Sequence, residues 1–286
     1  MNAASHVESP ISGRKLCAFA LAAALALITG AQFVPAHYAW AEDEPAATVQ
    51  ADATLPDAAP LEEALPEVAA LAPVENAPHL DLANGSIILK DSGSNLQYSQ
   101  DDEATWTSYS GNVTIGGTAG SGTNVQVLNG THTILLNGVT INEPRANHAA
   151  IEIGSDTQAA QLTLWLYGSN KLSGSSGYPA IFAPGKAHLI FKGDLYGSLE
   201  AQGGYEAPAI GADSAVSSCG TIEFWQPGNV TARSGNGAPA LGDPTSSAVD
   251  ATGSVSFFSG TVTLQSSGTC DVTAKSIVTG GGNIHL

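Results

Sequence analysis

Trp165, Lys192, Trp225 and Phe258 invite a chemical reading because they fall at one point of a repeating unit. Each follows directly on an apolar residue of a short strand: Leu164, Phe191, Phe224 and Phe257. Alternation along a strand sends consecutive side chains to opposite faces, so an inward first set makes the second set an outward aromatic stripe carrying one cation. Sugar rings present apolar C–H faces that lie well on Trp and Phe, and the amphipathic indole suits a wet contact surface. Lysine at the second position could pair with an acidic sugar. The competing reading is that a loop or the N-terminal segment covers these rings.

The carboxylates do not fall so regularly. Asp156, Asp213 and Asp243 follow an Ala-Ile or Ala-Leu landmark at offsets of six, four and three residues. Glycoside cleavage needs two carboxyl groups facing each other across one bond, at about 5–10 Å, and these offsets form no column. Asp is at home in turns for reasons of local hydrogen bonding. A calcium ion requires several converging oxygens, so Asp213 and Asp243 are weak calcium candidates at most. His132, His148, His188 and His285 show no metal-ligand spacing and have no Cys partner. No Gly-rich loop leads into a helix to cradle phosphate. Asn112, Asn129 and Asn229 begin glycosylation-type triplets of a kind common in turn-rich chains. The expectation is a protein that is not an enzyme and needs no cofactor.

The elements that position these residues are read from the repeat. Ala150-Ile151, Ala180-Ile181, Ala209-Ile210 and Ala240-Leu241 recur at intervals of 30, 29 and 31 residues. A second series follows in phase: Leu162 to Leu166, Leu189 to Phe191, Ile222 to Phe224, and Val255 to Phe257. A third is Gly197-Ser-Leu199, Gly228-Asn-Val230 and Gly260-Thr-Val262, with Gly138-Val139-Thr-Ile141 as a looser copy. Each repeat thus holds three short strands between Gly, Asn, Ser or Pro turns. Three strands bury an inward face only by stacking on copies above and below. The predicted architecture is an all-β parallel β-helix of about 30 residues per turn, with neighbouring turns about 4.8 Å apart. A β-sandwich also has short strands at regular spacing, but it does not require landmarks at every third strand. Residues 80–110, with strands expected around the turn at Asp91–Ser94, read as an N-terminal β cap on this domain of 80–286.

Upstream lie two other regions. Residues 1–41 have the three parts of a secretory signal: Arg14-Lys15, an apolar stretch from Leu16 to Phe33, and a small-x-small exit at Ala39-Trp40-Ala41. Residues 42–79 are an acidic block rich in Ala and Pro, whose prolines interrupt helices, and they read as a disordered spacer. The mature chain is therefore expected outside the cell or at its surface, without a transmembrane segment. A net charge of −17 argues against nucleic acid, because phosphates call for a basic surface. Cys219 and Cys270 remain after cleavage. Export permits a disulfide between them, although they fall at different points around the turn.

The segment Asn129-Gly-Thr-His-Thr-Ile-Leu-Leu-Asn-Gly-Val-Thr-Ile141, followed by repeated Ala-Ile-Gly and Gly-x-Val-Thr, resembles a group of secreted bacterial carbohydrate-binding-domain proteins. The resemblance covers about residues 80–286. It implies a right-handed parallel β-helix, like that of pectate lyases but non-catalytic, and a polysaccharide or glycan partner. Some relatives are thought to bind acidic plant polysaccharide with calcium through Asp before Gly-Ile. Here those places read Tyr178-Pro-Ala-Ile, Ala207-Pro-Ala-Ile and Ala238-Pro-Ala-Leu. The expected function is carbohydrate binding along one face of the solenoid. An adhesin-like module contacting proteins on host or neighbouring cells is the alternative, and a polysaccharide lyase or glycoside hydrolase the third reading.

Overall fold

Alternation along the strands produces the core. In Ala160–Tyr167 the side chains of Leu162, Leu164 and Leu166 are fully buried while Gln161 and Thr163 are only partly so. The same alternation runs through Thr221–Phe224 and Asn229–Arg233. A computed structural model of the chain describes residues 77–93, 95–213, 218–244, 253–280 and 283–286, together with the backbone of 15–18. The rest of the predicted export leader and the spacer up to residue 76 lie outside the described residues.

The described residues form a parallel β-solenoid with three strands to a turn. One side carries the short strands Ile151–Ile153, Ile181–Phe182, Ile210–Gly211, Leu241–Gly242 and Cys270–Ala274, each parallel to the next. On the other side Gly130–Ile141 runs through a bend as one strand. Later turns divide that path into Ala160–Tyr167 and Ser169–Ser173, then Ala187–Gly193 and Ser198–Gln202, then Thr221–Phe224 and Asn229–Arg233. Ser254–Phe257 with Thr261–Gln265, and Ser276–Thr279 with Asn283–His285, continue both columns. Among the described residues the helical element is the single 3-10 turn Leu82–Asn84.

The register brings like residues into columns, as the thirty-residue period requires. Ile151, Ile181, Ile210, Leu241 and Val272 are paired neighbours and are all fully buried. Phe191, Phe224 and Phe257 stack inside the solenoid with ring centroids 4.8 and 5.1 Å apart and planes within 6°. Asn170 is the polar exception in an apolar column, lying between Val139 and Leu199 where the bent strand first divides. Its Oδ1 accepts from Val139 N at 2.9 Å, and its Nδ2 donates to the carbonyls of Tyr167 and Ser198, each at 3.0 Å. It therefore supplies the partners that the interrupted ladder leaves open.

At the N-terminal end the region expected as the cap, 80–110, combines parallel strands of the stack with an antiparallel pair. His79–Asp81 already pairs parallel with Val113–Thr118, and Ile87–Asp91 pairs parallel with Val125–Val127. The antiparallel part is confined to Leu96–Ser99 and Thr107–Tyr109, which fold back on Ile87–Asp91. At the far end Lys15–Ala18, inside the predicted leader, lies parallel to Cys270–Ala274. No disulfide joins the two cysteines considered above, because Cys219 is a buried thiol. Burial pushes that thiol well above its ordinary range, with the neighbouring Asp243 adding to the effect.

Candidate functional site

The corner between the two strands of the bent side carries two exposed aromatics, Tyr196 and Trp225. Three of its turns stack directly: Asp194–Gly197, Trp225–Gly228 and Phe258–Gly260. Trp225 N donates to Phe191 O at 2.8 Å, and Phe258 N to Phe224 O at 2.9 Å. Asn229 N then donates to Gly197 O at 3.0 Å, and Thr261 N to Gly228 O at 3.1 Å. Gly228 and Gly260 have φ of 74° and 87°, a left-handed conformation that glycine adopts without a Cβ clash. These glycines let the chain turn sharply after Trp225 and the half-buried Phe258 and re-enter the sheet.

Trp165, Lys192, Trp225 and Phe258 do occupy successive turns at the expected place. Trp165 pairs with Lys192, and the Phe191–Phe224–Phe257 register carries the column on to Trp225 and Phe258. Their environments differ. Trp165 is 6% exposed, lying in register between Leu135, which is also buried, and the half-buried Lys192. Trp225 is 42% exposed. Its ring stacks on Phe258 with centroids 3.9 Å apart and planes at 21°. The aromatics thus face along the solenoid axis rather than lying flat on its side. Phe258 covers one indole face, and the other looks toward the preceding turn, which carries Lys192.

Polar contacts fix the indole. Trp225 Nε1 donates to Glu223 Oε2 at 2.8 Å, and His188 Nε2 lies 3.2 Å from Glu223 Oε1. The second contact has the distance of an ion pair but not the angle of a hydrogen bond, so His188 acts on Glu223 through charge when protonated. On the preceding turn Asp194 Oδ1 accepts from Tyr196 N at 2.9 Å and from Gly197 N at 2.5 Å. This side-chain-capped turn holds Leu195 and Tyr196 outward, 85% and 87% exposed.

Leu195 and Tyr196 are absent from the sequence-based stripe, although spacing marks them. Six residues separate Phe191 from Gly197, against four from Phe224 to Gly228 and three from Phe257 to Gly260. The longer interval is the projecting turn.

The carboxylates belong elsewhere. Asp213 and Asp243 are buried at the ends of the short strands, and each is engaged: Asp243 Oδ1 accepts from Cys219 N, and Asp213 acts on Glu152 and Tyr178. Asp156 is exposed in a turn. Glu152, which spacing did not single out, accepts from Ala149 N at 3.0 Å and meets His148 Nδ1 at 2.7 Å. Burial raises its carboxyl above the usual range, against the lowering effect of His148. These contacts close the turn before Ile151–Ile153. Among the described residues there is no group of three or more His, Cys, Asp or Glu arranged to hold a metal. His285 is exposed on the last strand, whereas His132 is buried at the N-terminal end.

Comparison with family models, curated proteins and solved structures finds no match for this chain. The class is thus defined by geometry alone: a parallel β-solenoid with an exposed aromatic corner. Among the described residues its side chains provide stacking and hydrogen bonding, with Lys192 in register on the preceding turn.

Proposed function

We propose that this chain is an exported, non-catalytic binding protein that recognises carbohydrate at the corner formed by Lys192, Leu195, Tyr196, Trp225 and Phe258. The observation that carries the reading is the half-exposed indole of Trp225, with its nitrogen tied to Glu223 and one face stacked on Phe258. An indole held in this way offers an apolar surface to sugar C–H groups without reorganising on binding. Glu223, His188, Lys192 and Asp194 surround it with donors and acceptors suited to hydroxyl groups. Trp165 serves packing rather than contact in this reading.

Titration calorimetry against a panel of soluble neutral and acidic polysaccharides tests the proposal. At least one should bind the native chain, and Trp225→Ala with Tyr196→Ala should abolish that heat while the fold is kept. Undiminished binding by the double variant would remove the corner from the account. Release of reducing or unsaturated sugar by the purified protein would replace binding by catalysis.

A second reading, an adhesin-like contact with a protein surface, draws on Leu195 and Tyr196. Two large apolar side chains projecting almost completely from a turn also suit a protein pocket. Retention on cells stripped of glycans, with loss on Leu195→Ala and Tyr196→Ala, is the outcome that favours it.

A further inference from the structure

We propose that Tyr109 and His132 form an acid-released latch that holds the N-terminal hairpin, Leu96–Ser99 with Thr107–Tyr109, on the first turns of the solenoid. His132 stands at the inward position that Leu162 and Leu189 fill on the following turns, and it is 1% exposed. An imidazole there requires a purpose that a leucine would not serve. Its Nε2 lies 2.8 Å from Asn129 O, an acceptor only, so Nε2 carries the proton and donates. Nδ1 is then the bare nitrogen, and Tyr109 OH donates to it across 2.6 Å. Asn129 is tied in turn to Asp91, whose backbone N donates to Asn129 Oδ1 at 2.7 Å. The latch thus joins the last strand of the hairpin to the turn that opens Gly130–Ile141.

This arrangement is built for neutral histidine. A second proton on the ring would occupy the nitrogen that receives the Tyr109 hydroxyl, which would have to turn and accept instead, and would place a charge in a site that is 1% exposed. The titratable groups facing the ring are Tyr109 and Asp91, and Asp91 has a buried Oδ1 without a hydrogen-bond partner. The Asp91 carboxylate favours imidazolium and so opposes the effect of burial. Burial is the larger influence, and it holds the imidazole below its ordinary range. It also pushes the Tyr109 phenol far up, with Asp91 adding to the shift, so Tyr109 keeps its hydroxyl proton throughout.

The sign follows. With the hairpin open, His132 titrates at its ordinary value of about 6.5. Below that pH the open form binds more protons than the closed one, so closure weakens as pH falls from about 6.5 toward the depressed value of the closed form. Asp101 in the hairpin does not share this window. Hydrogen bonds from Thr105 and Ser99 draw its carboxyl down to about 2. Lys90 Nζ also lies over the Trp106 ring, 3.5 Å from the centroid. Release of the hairpin leaves the backbone edge of Ile87–Asp91 unpaired and open to another strand.

Hydrogen exchange by mass spectrometry at pH 7 and pH 5, corrected for the intrinsic dependence on pH, tests the latch. Protection of amides in 96–109 should fall by about tenfold at pH 5, while that of 160–202 stays level. In His132→Gln the fall should vanish. Because that variant could fail to fold, Tyr109→Phe provides a second measurement. It should loosen 96–109 at both pH values and reduce, without removing, the difference between them, because the ring stays buried. Unchanged native protection at pH 5, or an undiminished pH effect in either folded variant, would overturn the proposal.

Discussion

Trp165 and Trp225 stand in one column of the solenoid, two turns apart, and have opposite fates. Both follow an inward apolar residue, and both point away from the core. Trp165 lies between Leu135 and Lys192 and is shut from solvent, whereas Trp225 lies between Lys192 and Phe258 and remains 42% exposed. In a stacked architecture the register decides direction, but neighbouring turns decide exposure. The two tryptophans therefore separate the stabilising use of an outward aromatic from the recognition role proposed for Trp225.

The largest expected effect breaks the buried member. Trp165→Ala should lower stability by about 3–5 kcal/mol, read as a shift of the denaturant midpoint, because it empties a closed site. It should spare carbohydrate binding in whatever fraction stays folded. Asn170→Ala comes next, at about 1–3 kcal/mol, since Val139 N loses its acceptor in a buried place. Trp225→Ala should cost less than about 1 kcal/mol in the same denaturation experiment, as for an exposed residue, while abolishing binding. Glu223→Gln is the smallest change, below about 1 kcal/mol. It keeps an acceptor for the indole but loses the charge that meets His188, so its binding should be weakened rather than lost.

The repeat and its inward columns were legible in the sequence because burial imposes them turn after turn. Phe191, Phe224 and Phe257 share a spacing and stack inside, and the Ala-Ile and Ala-Leu landmarks mark the short-strand side. Lys192, Trp225 and Phe258 were legible as a column for the same reason. The covering of Trp165 was not, because it depends on Leu135 one turn away and on the direction the rings face. Leu195 and Tyr196 were hidden for a different reason: a periodic reading aligns what recurs, and an insertion at one turn does not recur. Glu152 escaped notice because its partners, His148 and Ala149, are set by a turn conformation rather than by spacing. The parallel pairing of His79–Asp81 was similarly hidden, since its partner Val113–Thr118 lies more than thirty residues on.

The most direct test of the corner reads the indole itself. In a variant with Trp40, Trp106 and Trp165 replaced by phenylalanine, Trp225 is the remaining tryptophan, and acrylamide quenching of its fluorescence reports solvent access to its indole. Saturation with a polysaccharide bound by the native chain should make Trp225 markedly harder to quench. Binding that persists in this variant with no change in quenching would contradict the assignment of carbohydrate recognition to the Trp225 corner.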